Sequence, residues 1–410
     1  MILGRCGLLV VGLAIAAPSH AQSGGFVLVR GVAVEGARVA STGFGAIDTS
    51  RTTLEEALFL EGHRSGLDWR LRAQATGKAK DFPGSASIRI NTLSYGRGIT
   101  EAIYLSVGKQ QRLWGAGVAY QPLGFFRTQT NLRDPTDAEG RGEGLPMIHV
   151  TRLGETLTLE GVLSDDLRRQ RRGEPPLRQW AVRASGQIGK IDGSVILRQR
   201  LGSPMGIGAS ATWAGEAVSS YGDFYVGPPE RRRAAGGDAA IAPEVGMPVF
   251  SRRAQARQVS SAIGVTFTPA AQLSLTAEWQ HKGEGLSDAD WREVVAGLRD
   301  AAAGLRTPDA AAAYLQLART LPLLSSSGAR RDYLFGRAAF AGRLVSLGLN
   351  TTLGVADGSA AITLTCGYSL APRLNVSIAG TRFVGGPASE FGLSPVRSVV
   401  SLALRRSFDL

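Results

Sequence analysis

The stretch Leu67-Asp68-Trp69-Arg70-Leu71-Arg72-Ala73-Gln74-Ala75 decides the fold of this 410-residue chain. Successive side chains of a β-strand point to opposite faces of the sheet, so this strand has one apolar face and one polar, charged face. The same alternation recurs through nearly the whole chain beyond residue 25. It predicts eighteen strands, at 26–34, 55–62, 66–77, 85–94, 100–108, 146–153, 155–164, 178–188, 190–200, 206–214, 218–227, 257–268, 271–283, 331–340, 343–354, 360–369, 373–383 and 396–409.

The connections between these strands alternate between long and short. If both termini lie on one side, the long connections all fall on the opposite side and the inner turns are all tight, such as Gly154, Gly189 and Pro269-Ala270. A soluble sandwich has no reason to sort its loops in this way, because both of its ends face water. Lipid offers no partners for backbone groups, so a sheet can enter a membrane only if it closes and leaves no edge. We therefore predict an all-β fold, a closed antiparallel transmembrane β-barrel of about 18 strands.

The composition agrees with a folded barrel. Hydrophobic residues make up 44% of the chain, charged residues 20%, and the mean hydropathy is +0.01, which excludes a disordered charged tail and a polytopic helical membrane protein. The one long apolar run is N-terminal, with Arg5 before it and the small-residue site Ser19-His20-Ala21 after it, as in a secretory signal peptide. Residues 1–21 are therefore expected to be a signal peptide, and residues 22–410 an outer-membrane barrel.

One insertion breaks the strand pattern, in the long connection 284–330. Residues 287–304 and 307–325 predict two short helices with Ser287 and Thr307 as N-caps. On topology this helical insertion, 287–325, belongs to an external loop. It could cap the mouth of the barrel, fold inward and narrow the pore, or form an amphipathic hairpin on the surface.

The charge of the chain is carried by arginine. The formal net charge is +12, and of the 46 basic residues only five are lysines, so 41 are arginines. Nucleic acid is not expected as a partner, because an exported chain rarely meets it and no helix or aromatic-basic module is present to contact bases. The polar face of the predicted strands carries a set of arginines that would line the lumen and favour anions: Arg70, Arg72, Arg89, Arg183, Arg198 and Arg405. Alternatively, these arginines pair with Asp68, Asp192 and Glu278 and only keep the lumen solvated.

Two further segments resemble parts of known barrels. Gly108-Lys109-Gln110-Gln111-Arg112-Leu113-Trp114-Gly115-Ala116-Gly117, which leads to Pro122, is similar to a strand-end pattern of Gram-negative outer-membrane β-barrels of the porin and alginate-export-like kind. The last strand, with Val400, Leu402, Leu404, Phe408 and Leu410 on one face, resembles the assembly signal of that family. The resemblance implies passive passage of a solute, or export of a polymer, through a water-filled lumen. It also implies insertion by the barrel-assembly machinery.

Catalytic and cofactor motifs are largely missing. A barrel hydrolase would need a histidine in the lumen, and His149 is the single candidate. Ser164-Asp165-Asp166 lies at the far end of the next predicted strand, where it is poorly placed to act with His149. We therefore expect no enzymatic activity, no cofactor and no metal site, while a hydrolase using His149 remains an alternative. Cys366, the one cysteine beyond the signal peptide, shares a face with Ile362 and Leu364, as a small apolar residue would.

The sequence thus predicts an outer-membrane, porin-like channel. It would pass small, anionic solutes, or export an anionic polysaccharide, through an arginine-rich lumen. A non-conducting surface barrel, blocked by the 284–330 insertion, is the alternative. Arginine clusters in predicted external loops would lie beside outer-membrane lipid and lipopolysaccharide, which are the expected lipid partners: Arg168-Arg169-Gln170-Arg171-Arg172, Arg231-Arg232-Arg233, Arg252-Arg253 and Arg330-Arg331.

Overall fold

The computed structural model describes residues 22–36, 51–78, 82–126, 144–166, 177–228, 257–305, 307, 310–325 and 328–409. Eighteen strands form one sheet. They are β1 Gln22–Gly36, β2 Arg51–Arg64, β3 Leu67–Lys78, β4 Ser85–Gly98, β5 Ile103–Gln110, β6 Leu145–Arg152, β7 Leu157–Asp166, β8 Leu177–Ile188, β9 Ile191–Arg200, β10 Gly206–Ala214, β11 Val218–Gly227, β12 Gln258–Ala270, β13 Leu273–His281, β14 Asp332–Ala341, β15 Val345–Gly354, β16 Ala360–Ala371, β17 Leu374–Val384 and β18 Val396–Asp409.

The sheet closes on itself. Each strand pairs antiparallel with its neighbours in sequence, and β1 pairs with both β2 and β18. The register across the closing pair runs from Gly24 opposite Asp409 to Gly36 opposite Val396. The predicted barrel is therefore confirmed, and β10, β11 and β18 have the predicted bounds.

The two rims of the barrel differ. The connections at one rim, which we call the short-turn rim, are 65–66, 99–102, 153–156, 189–190, 215–217, 271–272, 342–344 and 372–373. Those at the opposite long-loop rim are 37–50, 79–84, 111–144, 167–176, 201–205, 228–257, 282–331, 355–359 and 385–395. The predicted sorting of tight turns and longer loops is confirmed.

The wall of the barrel is apolar on its outer face and polar on its inner face, the reverse of the arrangement in a water-soluble protein. On β9, Val195 and Leu197 are exposed on the outer face, whereas Arg198 is buried on the inner face. On β13, Trp279 is exposed outside, while Glu278, on the inner face, is 2% exposed. Such a wall is stable when its outer face meets acyl chains and its inner face is polar, because burying apolar groups in lipid replaces the usual core.

Two helices interrupt the strand order between β13 and β14, as predicted. Helix α1 spans Asp288–Gly304, and Ser287 is its N-cap in a reciprocal pair with Asp290. Helix α2 spans Ala310–Ser325. The described helix thus begins three residues after Thr307, the predicted N-cap, and residues 308–309 lie outside the described residues. The Thr307 hydroxyl donates to the carbonyl oxygen of Gly304 at 2.7 Å. Among the described residues, neither helix is long and apolar enough to cross a membrane.

The helical pair packs at the long-loop rim. Leu298 of α1 and Leu317 of α2 share an apolar cluster with Leu393 of the 385–395 connection. The indole N–H of Trp291 donates to the carbonyl oxygen of Ala388 at 2.9 Å. The insertion therefore packs against the 385–395 connection at the long-loop rim.

Candidate functional site

A different connection lies against the inner face of the wall. Residues 111–126, which we call the inner segment, leave β5 at the long-loop rim. Trp114, Leu123 and Phe126 are between 0% and 3% exposed. They share an apolar cluster with inward-facing side chains of β6 to β11: Leu145, Met147, Val162, Ala181, Ile196 and Tyr225. The inner segment thus narrows the lumen from one side, a position that the sequence did not predict.

Two buried carboxylates hold the middle of the inner segment. Asp223 on β11 accepts the backbone N–H groups of Ala116 and Gly117 at 3.1 and 2.8 Å. Glu278 on β13 accepts the next three backbone N–H groups, including those of Val118 at 2.6 Å and Tyr120 at 3.0 Å. Five consecutive backbone donors are thereby satisfied by two side chains.

Glycine is required at this contact. A Cβ atom on Gly115 would collide with the carboxylate of Asp223, and one on Gly117 would collide with the carbonyl oxygen of Tyr120. The two glycines of the Trp-Gly-Ala-Gly sequence, noted above as a family-like pattern, therefore allow the backbone to approach the wall closely.

Tyr120, the last of the five residues held by Asp223 and Glu278, is fixed by further side chains. The hydroxyl of Tyr120 donates to the carboxylate of Glu284 at 3.2 Å. The ammonium of Lys282 lies 5.3 Å from the centre of the Tyr120 ring and 4.5 Å from that of Tyr333. Because Lys282 and Glu284 lie just before α1, the inner segment is connected physically to the base of the helical insertion.

Three of the predicted lumen arginines pair with carboxylates. Arg72 lies 2.6 Å from Glu55, and Arg183 lies 2.9 Å from Glu160. A third arginine, Arg70, lies 3.0 Å from Glu61 near the short-turn rim. The alternative drawn from the sequence named Asp68, Asp192 and Glu278 as partners, and that choice is wrong: in the described structure the partners of these three arginines are Glu55, Glu61 and Glu160.

The other three predicted arginines have different surroundings. Arg198 is 3% exposed, donates to the side-chain oxygen of Gln179, and stacks 4.1 Å from the centre of the Phe125 ring. Arg405 lies 3.9 Å from the centre of the Phe26 ring. Arg89 is exposed opposite Arg72 in the sheet register, and its side chain makes no ion pair within the described part of the chain.

Sequence reasoning missed other arginines that face inward in the described structure, and Arg30 and Arg337 are two of them. Arg30 on β1 is 4% exposed and pairs with Glu55, which thus bridges Arg30 and Arg72. Arg337 on β14 is exposed and lies opposite Thr276 and Asn350, both on the inner face. The alternation of β14 contained this signal, since Arg337 falls two residues from inward Phe335.

His149 is enclosed by polar neighbours on the inner wall. Its Nε2 lies 3.2 Å from Glu160, its Nδ1 lies 3.5 Å from the Ser106 hydroxyl, and the side chain is 3% exposed. Ser106 donates to the side-chain oxygen of Gln110 at 3.1 Å, and Arg112 reaches the same hydroxyl. The histidine is therefore part of a buried hydrogen-bond network. No group of three or more metal-ligating side chains occurs within the described ranges.

At the long-loop rim, Asp357 joins three connections. It accepts from the Ser359 hydroxyl at 2.7 Å, the Glu390 backbone N–H at 2.9 Å and the Arg330 guanidinium at 3.0 Å. Burial alone would raise the pKa of Asp357, but the hydrogen bonds from Ser359, Glu390 and Arg330 outweigh burial and lower it. Arg330 also pairs with Asp288 of α1. Arg330, which belongs to one of the arginine clusters predicted to contact lipid, thus forms ion pairs with carboxylates of the protein itself. The clusters at 168–172, 231–233 and 252–253 lie outside the described residues.

Comparison with known proteins gives a likeness of fold. No protein-family model and no curated protein matches the chain. Among solved structures, Pseudomonas aeruginosa OccK3 (OpdO) superposes with a TM-score of 0.50 at 10% identity, over 95% of this chain and 96% of that one. The chain has the same closed-barrel fold. A substituted Rh. blastica porin gives a TM-score of 0.43 at 11% identity, over 95% of this chain and 100% of the porin.

Proposed function

We propose that the protein is an outer-membrane channel that lets small anionic solutes cross passively through its lumen. The observation that carries this proposal is the reversed wall, in which a closed sheet presents Val, Leu and Ile outward and buries charged groups inside. A sheet of this kind suits a bilayer on its outer face and water on its inner face. The likeness to OccK3 supports the fold part of the argument only.

The inner segment favours small solutes over a polymer. Its apolar side chains are packed into the wall at both ends of the contact, and Asp223 and Glu278 hold its middle. A chain fixed at so many points reduces the free cross-section of the lumen. Export of an anionic polysaccharide would need a wider lumen, so the inner segment favours the hypothesis that small solutes pass.

The preference for anions rests on arginines that face open lumen. Arg70 and Arg183 lie beside carboxylates, so their fields are partly cancelled, and Arg72 shares Glu55 with Arg30. The side chains of Arg89 and Arg337 are exposed on the inner face. Low-dielectric walls focus the field of such charges into the lumen, which raises the local concentration of anions.

Location and partners belong to the same proposal. After export directed by residues 1–21, the barrel would be inserted by the assembly machinery and surrounded by outer-membrane lipid and lipopolysaccharide. The outer face of the last strand, with Leu402 and Leu404 exposed, suits that environment.

Reversal potential in a salt gradient across a planar bilayer tests the proposal. The wild-type channel should be anion-selective, and Arg89→Gln and Arg337→Gln should each shift the potential towards cation selectivity. Arg406→Gln is the matched control, since it removes the same charge from the outer face of β18, on the side of exposed Leu404. Cation selectivity of the wild type would refute the anionic preference. If no channel events are recorded, even after deletion of residues 287–325, the channel function would be refuted and a non-conducting barrel favoured.

A further inference from the structure

Asp223 and Glu278 are unusual among the acidic residues of the inner wall. They are 0% and 2% exposed, yet neither forms an ion pair with an arginine or lysine within the described ranges. Glu55 and Glu160, in contrast, each contact inward arginines. A buried carboxylate without a cation is costly unless hydrogen-bond donors surround it.

The donors come from the inner segment itself. Residues 116–120 present consecutive N–H groups to the two carboxylates, and side chains of the wall complete the set: Ser210 donates to Asp223, and Tyr221 and Gln280 donate to Glu278. Hydrogen bonds to an ionised acceptor are about twice as strong as neutral ones. The converging amide dipoles also offset part of the negative charge that each carboxylate would otherwise show to the lumen.

We propose that Asp223 and Glu278 are positioning residues that set the width of the channel by holding residues 116–120 against the wall; the effect on width rests on the proposed function. An amide at either position has the same shape but brings an N–H₂ group towards backbone donors and loses the charge. The segment would then be held only by its apolar ends, Trp114 on one side and Leu123 and Phe126 on the other.

The proposal predicts a local effect, because the anchors act on one stretch of backbone. The strand pairing of β11 and β13 uses main-chain groups that are not involved in the contact. The variants Asp223→Asn and Glu278→Gln are therefore expected to fold as barrels while residues 116–120 become free to leave the wall.

Hydrogen exchange of the purified full-length protein in detergent, followed by mass spectrometry, tests the anchors without requiring conduction. Glu278→Gln should speed exchange of the amides of 118–120 by about tenfold or more, and Asp223→Asn should do so for 116 and 117. Glu278→Asp, which keeps the charge on a shorter side chain, should recover part of the protection. Peptides from β3 serve as the folding control.

Asp192→Asn is the matched control variant. Asp192 is an exposed residue of β9 whose alternation places it on the inner face, and it has no contact with the inner segment in the described structure. Asp192→Asn removes the same charge as the two anchor variants. Because Asp192 does not contact the inner segment, the exchange of residues 116–120 should stay unchanged. Equal exchange in the wild type, Asp223→Asn and Glu278→Gln would overturn the proposal, and so would faster exchange in Asp192→Asn.

Single-channel recording then examines width. Glu278→Gln should raise the open-channel noise and pass larger uncharged polymers than the wild type, whereas Asp192→Asn should do neither. An unchanged size limit despite faster exchange would refute the role in width. If the wild type itself does not conduct while the exchange result holds, the channel function fails and the anchoring role stands.

Discussion

The bridge from Arg30 through Glu55 to Arg72 provides a strong test of the inner wall. The side chains of Arg30 and Arg72 are 4% and 6% exposed, and that of Glu55 is 10% exposed. Replacing Glu55 with Ala leaves two buried guanidinium groups without their shared carboxylate. Breaking a buried ion pair from one side typically costs about 3–5 kcal/mol. We expect a loss near the lower end, about 3 kcal/mol, because a water-filled lumen can solvate part of the freed charge.

Glu61→Ala on the same strand is the control. Glu61 lies on the same inner face and pairs with Arg70, but the two side chains are 60% and 54% exposed. An exposed ion pair contributes roughly 0–1 kcal/mol. Urea unfolding in detergent micelles, followed by tryptophan fluorescence, should therefore separate the two variants by at least about 2 kcal/mol.

A third variant distinguishes unpaired charge from lost packing. Arg30→Met, Glu55→Leu and Arg72→Met together remove all three charges and keep similar volume. Replacing a group of paired buried charges by apolar side chains of similar volume is often neutral or stabilising. The combined variant should thus recover most of the stability that Glu55→Ala loses. Equal losses in Glu55→Ala and Glu61→Ala, or no recovery in the combined variant, would refute the assignment of a buried charge bridge.

Three further predictions concern the inner segment, the rim and the outer face. Trp114→Ala should cost about 3–5 kcal/mol of local packing and increase conductance, since the indole fills a cluster against the wall; bilayer recordings measure this. The folded-state pKa of Asp357 is lowered, so its ionised carboxylate stabilises the rim fully above its ordinary pKa, and this stabilisation is lost as the pH falls through the lowered value. Hydrogen exchange of residues 385–395 should become faster over that pH range. Asp357→Asn should abolish this pH dependence. A fluorophore on Cys366 should be quenched by brominated acyl chains in vesicles, whereas one on Ser401→Cys in a Cys366→Ser background should not, because Ser401 is predicted to face the lumen.

The strands could be predicted because their signal is local. Alternation with a period of two follows directly from the strand geometry, so β10 at 206–214 and β11 at 218–227 were found with their observed bounds. The capping of α1 by Ser287 is equally local, as the pair Ser287 and Asp290 spans one helical turn. Patterns of this length are visible without knowledge of the rest of the fold.

The inner segment could not be placed in the same way. Its anchors, Asp223 and Glu278, are 107 and 160 residues away in the sequence from the amides that they bind. The segment has no periodicity of its own, and the helical insertion offered a more obvious apolar candidate for folding inward. One local signal was available: Ile196 stands between outward Val195 and Leu197, so an apolar side chain faces the lumen and must be covered by something.

Net charge is a poor guide to the field inside such a barrel, and the arginines show why. Arg183 lies beside Glu160, so the carboxylate cancels part of the field that the guanidinium would produce in the lumen. Arg89 has the same charge and faces the same lumen, but its side chain is exposed and has no carboxylate beside it in the described structure. A permeating anion responds to the potential at its own position, which falls with distance and with the number of opposite charges nearby. It follows that selectivity depends on which arginines lack a partner, a property that composition cannot reveal and that the register of neighbouring strands decides.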